Sequence, residues 1–285
     1  MGYVQVNSLT GREPVDIYYE DLGQGQPVVL IHGWPSSHEM WEYQIGDLVN
    51  AGFRVIAYDR RGFGKSSKPF EAYDYDTLTA DLKALLDHLH LDDVTLVGFS
   101  MGGGEVVRYF SRYGGARVIR AVLIGSVTPY MLKTADNPDG VDESVFVEIL
   151  ANIKDDRMAF LETFGKQFFG INLINKPVST PYLEYFRMLA AVASPKATQE
   201  CAKAFAYTDF RGDMAAVNVP TLIIHGDSDK TVPIETSGDQ SSRMITGSRY
   251  IRYAHAPHGL FYTEKERLNA DLISFIREPV AAVTY

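Results

Sequence analysis

Apolar residues along this chain gather in short continuous blocks: PVVLIHG at 27–33, RVIAYD at 54–59, VTLVGF at 94–99, RAVLIGS at 120–126 and TLIIHGD at 221–227. A strand that is apolar on both faces is covered on both faces. Blocks of this kind predict a mostly parallel sheet with helices on each side. Nearer the start, VQV at 4–6 and VDIYYE at 15–20 predict a hairpin that turns at Gly11.

The stretches between the blocks carry a helical period. Leu78, Leu82, Leu85, Leu86 and Leu89 recur on one face between Thr77 and Leu91, with Asp76 or Thr77 as the cap. Ser37–Asn50 predicts a helix ending near Gly52, and Met101–Tyr113 predicts another stopped by Gly114 and Gly115. Thr263-Glu264-Lys265-Glu266 has the spacing of a capping box, ahead of a helix with Leu268, Leu272, Phe275 and Ile276 on one face. Strand–helix alternation gives the α/β class, doubly wound around a mostly parallel, eight-stranded sheet. From Ser126 to Asn218 the rhythm stops. Helical patterns there are rich in aromatics, among them Phe146, Phe160, Phe164, Phe168 and Phe205, and are punctuated by Pro177, Pro181 and Pro195. Residues 127–217 therefore predict a helical cap, inserted into a core made of 1–126 and 218–285. Helical spacing alone does not separate aromatics that fasten the insert from those that face a pocket.

Composition narrows the function classes. The chain has 285 residues, a size that one α/β domain with an insertion reaches. Its net charge of −9, without a basic stripe, excludes a nucleic-acid partner. The single cysteine, Cys201, allows no internal disulfide and has no context that activates a thiol. The start lacks a positive segment followed by an apolar one, so no secretory signal is expected. Val6 stands where a myristoylation site needs Ser or Thr. No apolar run approaches the roughly 20 residues that span a bilayer. The expectation is a soluble cytoplasmic protein with no membrane partner, and a homo-oligomer stays open.

The chemistry begins at Gly98-Phe99-Ser100-Met101-Gly102, a G-x-S-x-G motif between a predicted strand and a predicted helix. A turn this tight strains the serine and leaves no room for a Cβ at Gly98 or Gly102. It lifts the Ser100 hydroxyl above the sheet. A serine needs a base, and the base needs an orienting acid. In this fold the chain order is Ser, acid, His, so the base comes from His255 or His258. His258, ahead of Gly259 and a loop-to-helix transition, is the better placed. His38 reads as a solvated surface residue. HGDSD offers two acids. Asp227 falls in the tight turn, where a carboxylate caps amides. Asp229, two residues further out, is better placed to reach an imidazole. The oxyanion donors are the amide of Met101 and that of Trp34 in HGWP. Asp59-Arg60-Arg61-Gly62-Phe63-Gly64-Lys65-Ser66 fails as a phosphate loop, because glycine is needed where Asp59 stands. It reads as a structural turn whose Asp59 and arginines bond locally. No metal-ligand spacing occurs, so neither metal nor cofactor is expected.

HGWP, DRRGFGKS, GFSMGGGE, HGDSDKTVP and APHG together resemble the α/β-hydrolase superfamily, and more closely its bacterial aryl esterase and cofactor-free haloperoxidase (perhydrolase) group. The likeness covers nearly the whole chain. It implies a Ser100–Asp229–His258 triad, an oxyanion hole from the Trp34 and Met101 amides, and an acyl pocket lined by Val127, Met131, Val232 and Ile234. HGWP also occurs in epoxide hydrolases and dehalogenases, but those use Asp where this chain has Ser100. The implied activity is hydrolysis of small carboxylic esters through an acyl-enzyme, with peracid formation when hydrogen peroxide is the acceptor. In that group a proline at position 35 tends to accompany perhydrolysis. The same triad serves an acyltransferase or an amide or lactam hydrolase, and the fold also serves ligand receptors.

Overall fold

The computed structural model of the chain describes residues 1–6 and 14–279. The chain runs β1 (Gly2–Val6), β2 (Val15–Leu22) and β3 (Pro27–Ile31), then a 3₁₀ turn at His38–Trp41 and α1 (Glu42–Asn50). It continues through β4 (Arg54–Tyr58), α2 (Tyr75–His88), β5 (Val94–Phe99), α3 (Met101–Tyr113) and β6 (Val118–Ile124). Three long helices follow, α4 (Glu143–Phe168), α5 (Thr180–Val192) and α6 (Pro195–Tyr207), then the short α7 (Arg211–Met214). The chain closes with β7 (Thr221–Gly226), α8 (Gly238–Met244), β8 (Arg249–Tyr253), α9 (Leu260–Thr263) and α10 (Lys265–Arg277).

The strands form one eight-stranded sheet in the order β1-β2-β4-β3-β5-β6-β7-β8. β1–β2 and β2–β4 pair antiparallel, and every later pair is parallel. β3, β5 and β7 are buried along their whole length, as continuous apolar blocks require. Burying each such Val, Leu or Ile contributes about 1.5–3 kcal/mol before entropy is counted. β3 and β5 sit side by side at the centre, with Ile31 opposite Gly98. Their C-terminal ends deliver HGWP and Ser100 to the same edge of the sheet, where α/β folds bind ligands. No described helix is long and apolar enough to cross a membrane.

Several local expectations are corrected. The turn expected at Gly11 lies outside the described residues. The cap of α2 is Asp74, whose carboxylate accepts the Thr77 amide at 2.9 Å, so the helix begins a half-turn earlier than the leucine period suggests. The helix expected from Ser37 divides, and only Glu42–Asn50 is α-helical. The capping box at Thr263 does not form. Thr263 closes α9 instead of standing extended before α10, and its buried hydroxyl has no partner among the described residues. α4 breaks at Asp156 (φ −142°, ψ 91°), whose side chain accepts the amides of Met158 and Ala159 at 3.0 Å. β8, RYIRY, has exposed Arg249 and Arg252 around half-buried Tyr250 and Ile251, with only Tyr253 buried, and gave no continuous apolar block to read.

His38 is buried, not solvated. Its Nδ1 and its amide both meet Asp59 Oδ1 at 2.8 Å, and its Nε2 lies 3.5 Å from Glu20. Burial alone would lower its pKa, but the hydrogen bond and charge of Asp59, with Glu20 and Glu39 behind, raise it above the usual value of about 6.5. A raised histidine stabilises the fold fully below its unfolded pKa, and the contribution is lost as pH rises through the folded one. The urea midpoint is therefore expected to fall between pH 6 and pH 9, and to fall less in His38→Gln. Equal declines in the two proteins would overturn the role of this pair.

Candidate active site

Ser100 joins β5 to α3 with φ 54° and ψ −118°, a conformation that L-residues enter only under constraint. The constraints are visible. Its amide donates to the Ile124 carbonyl at 2.8 Å, and its carbonyl accepts the amides of Gly103 and Val127. A Cβ on Gly98 would stand 2.5 Å from the Gly102 carbonyl oxygen, so the elbow closes only over glycine.

His258 Nε2 lies 2.9 Å from Ser100 Oγ, and its Nδ1 lies 2.6 Å from Asp229 Oδ2. The imidazole is buried between the rings of Phe99 and Phe168, at centroid distances of 4.9 and 4.7 Å. Asp229 Oδ1 accepts the amides of Thr231 and Val232 at 2.9 and 2.8 Å. Burial would raise the Asp229 pKa, but the His258 charge and the bonds from His225 and His258 outweigh it and hold the carboxyl well below its usual range. His225 was not singled out by the sequence. Its Nε2 donates to the Val232 carbonyl at 2.9 Å and lies 3.4 Å from Asp229 Oδ2. Asp227 is exposed and accepts the His255 amide at 2.6 Å, the turn-capping role expected of it. The Cys201 thiol is fully buried, and burial pushes it up to about 12.

The β3 loop runs against the elbow: a Cβ on Gly33 would lie 3.1 Å from Ser100 Cβ. The next amide is that of Trp34. Neither it nor the Met101 amide has an acceptor among the described residues. The Trp34 indole points into the insertion. It donates to the Thr198 carbonyl at 3.0 Å and packs edge-on to Phe164 and Phe205, at 5.2 and 5.4 Å.

A cavity of about 610 Å³ opens onto Ser100. Trp34, Val127, Phe160, Phe164, Phe205 and Val232 form its apolar wall, while Glu148, Asn152, Asp155 and Lys230 reach it from the sides. Val127 and Val232 are thus brought to the cavity, and Met131 and Ile234 are not. Met131 turns inward where its carbonyl accepts the Val141 amide, which leaves Val141 on the wall. Ile234 is held back by the turn into α8, where its carbonyl accepts the Ser237 and Asp239 amides, and Pro233 lines the cavity instead. Helical spacing could not tell Phe160 and Phe164, on the cavity, from Phe169, which packs on Tyr182 and Phe186.

The local reading of the Asp59 turn holds only for Asp59 itself, which takes the Lys65 amide as well as His38. Arg60 reaches Glu105 in α3, and Arg61 pairs with Asp81 in α2 through two bonds of 2.6 Å.

A parallel sheet with a strained serine at the C-terminal end of its central strand, faced by a histidine and a carboxylate, is the architecture of the α/β hydrolases. The model of the alpha/beta hydrolase fold family matches residues 26–265, and the chain belongs to that family, within its group of non-heme haloperoxidases and esterases. It is 40% identical to a non-heme chloroperoxidase of Kitasatospora aureofaciens over 94% of this chain and 98% of that one. It is 38% identical to a bifunctional esterase/perhydrolase of Acinetobacter calcoaceticus, over 97% and 100% of the two chains. Among solved structures, the bromoperoxidase of Bacillus anthracis superposes with a TM-score of 0.93 at 48% identity, covering 97% of this chain and 99% of that one.

Proposed function

We propose that this protein is a serine esterase that cleaves small carboxylic esters through an acyl-enzyme, and that it passes the acyl group to hydrogen peroxide as well as to water. The observation that carries the reading is the continuous chain from Ser100 Oγ through His258 to Asp229, at 2.9 and 2.6 Å, opening on an apolar cavity. Ser100 Oγ attacks the ester carbonyl while His258 Nε2 takes its proton. The Trp34 and Met101 amides receive the negative oxygen, and the alcohol leaves with the proton from His258. Asp229 holds the ring in the tautomer that accepts at Nε2. In the second half, water or peroxide loses a proton to His258 and attacks the acyl carbon, and the bond to Ser100 Oγ breaks as His258 returns that proton to Oγ. Residues 127–217 act as the cap, with Val127 and Val232 on the acyl side of the cavity. The enzyme works on a small molecule in the cytoplasm, without metal or cofactor.

Perhydrolysis is favoured by the esterase/perhydrolase and haloperoxidase relatives and by Pro35. Proline removes an amide from the oxyanion loop and restricts the backbone of Trp34, whose carbonyl faces the incoming nucleophile in this reading. The test has two assays: p-nitrophenyl acetate hydrolysis, and monochlorodimedone bromination with bromide, acetate and peroxide. Repeated turnover of the ester is expected, whereas a ligand receptor gives about one acylation per chain. Bromination is expected to be faster than in Pro35→Leu, with ester hydrolysis changed less. Equal bromination by both proteins overturns the role given to Pro35, and none by either leaves plain esterase as the function.

A further inference from the structure

Behind the oxyanion loop lies a buried polar group that the chemistry above does not use. Arg60, two residues past the end of β4, is 1% exposed. Its Nε donates to Glu105 Oε1 at 2.6 Å. Its Nη2 donates to the same carboxylate and, at 2.8 Å, to the His32 carbonyl. Glu105 stands one turn beyond Met101 in α3, and its other oxygen accepts the Tyr58 hydroxyl at 2.8 Å. One guanidinium therefore joins the helix that bears the Met101 amide to the strand end that bears the Trp34 amide.

His32 completes the linkage. The Arg60 amide donates to His32 Nε2 at 3.0 Å. A backbone amide can only donate, so Nε2 carries no hydrogen and the ring proton sits on Nδ1. Nδ1 then donates to the Gly33 carbonyl at 2.8 Å, and the Ser36 amide donates to the same oxygen at 3.1 Å. Arg60 Nη1 also lies 3.4 Å from Nδ1, but two donors facing each other make no bond. The Gly33 carbonyl and the Trp34 N–H belong to one planar peptide and point in opposite directions. Fixing the carbonyl fixes the direction of the N–H. Burial first, and then the charge of Arg60, bring the His32 pKa down to about 3, so the ring keeps this neutral form throughout the working pH range.

Resting on the reading of Trp34 and Met101 as oxyanion donors, we propose that Arg60 is a positioning residue that sets both of them. Its side chain holds α3 through Glu105 and anchors the His32 carbonyl, while its backbone amide, which any residue at position 60 other than proline keeps, sets the His32 ring that aims the Trp34 peptide. A buried Arg–Glu pair adds little net stability over apolar residues of similar volume. Its distinctive contribution here is the placement of two amides carried on different elements.

The test replaces the pair with matched apolar side chains, Arg60→Met with Glu105→Met, and checks the fold by melting temperature. For p-nitrophenyl acetate, kcat is expected to fall about 100-fold while KM moves less than about threefold. A trifluoromethyl ketone forms a bond to Ser100 Oγ, its carbonyl becomes an oxyanion, and the serine proton passes to His258. Its affinity is expected to fall with kcat, while competitive inhibition by p-nitrophenol stays unchanged. A folded double variant that keeps kcat, or one that loses ketone and nitrophenol affinity equally, overturns the proposal. His32→Asn and His32→Leu decide it if the double variant does not fold. Asparagine can offer an N–H to the Gly33 carbonyl, so it is expected to keep about tenfold more kcat than leucine. Equal loss in the two overturns the proposal. Ser100→Ala in the same assays tests the serine reading separately, because activity that survives it overturns that reading whatever the Arg60 and His32 variants do.

Discussion

Ser100→Ala is expected to lose on the order of 10⁶ in kcat on p-nitrophenyl acetate while the protein melts at or above the wild-type temperature. The size follows from the chemistry. Without Oγ there is no acyl-enzyme, and His258 Nε2 loses the group that lies 2.9 Å away. The unchanged fold follows from what holds the elbow, which is backbone bonding to Ile124, Gly103 and Val127. Alanine keeps all of it. A well-folded variant that retains more than a few per cent of the activity would end the serine mechanism.

Asp229→Asn is expected to cost roughly 10⁴ in kcat, the scale seen when an orienting acid is neutralised. The structure gives a specific reason. Oδ1 of Asp229 is committed to the amides of Thr231 and Val232. The asparagine carbonyl keeps those bonds, so its NH₂ faces His258 Nδ1. A donor there forces the ring proton onto Nε2, and Nε2 can then no longer accept the serine proton. Asp227→Asn keeps a side-chain oxygen for the His255 amide and the Ser228 hydroxyl, and is expected to change stability by less than about 1 kcal/mol with little change in kcat. The reverse pattern in kinetics and melting would exchange the roles of the two acids.

The parts of this molecule that were legible in its sequence are those fixed by local pattern. Continuous apolar blocks identify the buried strands, because burial on both faces leaves no polar position to interrupt them. G-x-S-x-G is readable because a turn that tight tolerates little else. Contacts between distant segments left no such trace. The burial of His38 depends on Asp59, and Asp59 also accepts the Lys65 amide. Nothing in HGWPSSH marks that pairing. Glu105 looks like an ordinary helical glutamate in GGGEVV, and only the folded chain brings Arg60 to it. Met131 and Ile234 show the limit of carrying pocket residues across a resemblance. The turns around them, at Val141 and at the start of α8, decide which side chain faces the cavity.

Trp34 belongs to two parts of the molecule at once. Its amide stands beside the nucleophile, while its ring is held by Thr198 of α6 and by the rings of Phe164 and Phe205. A displacement of α4 or α6 pulls on that ring, and the ring pulls on the amide. With the Trp34 amide as the proposed oxyanion donor, lifting the insertion to admit a bulky molecule would also loosen the place that holds the negative oxygen. In the proposed function the exchange of alcohol for water or peroxide happens with the acyl group still attached, so the second nucleophile enters through the mouth of the cavity on Ser100. The size of that mouth therefore sets which second nucleophiles compete.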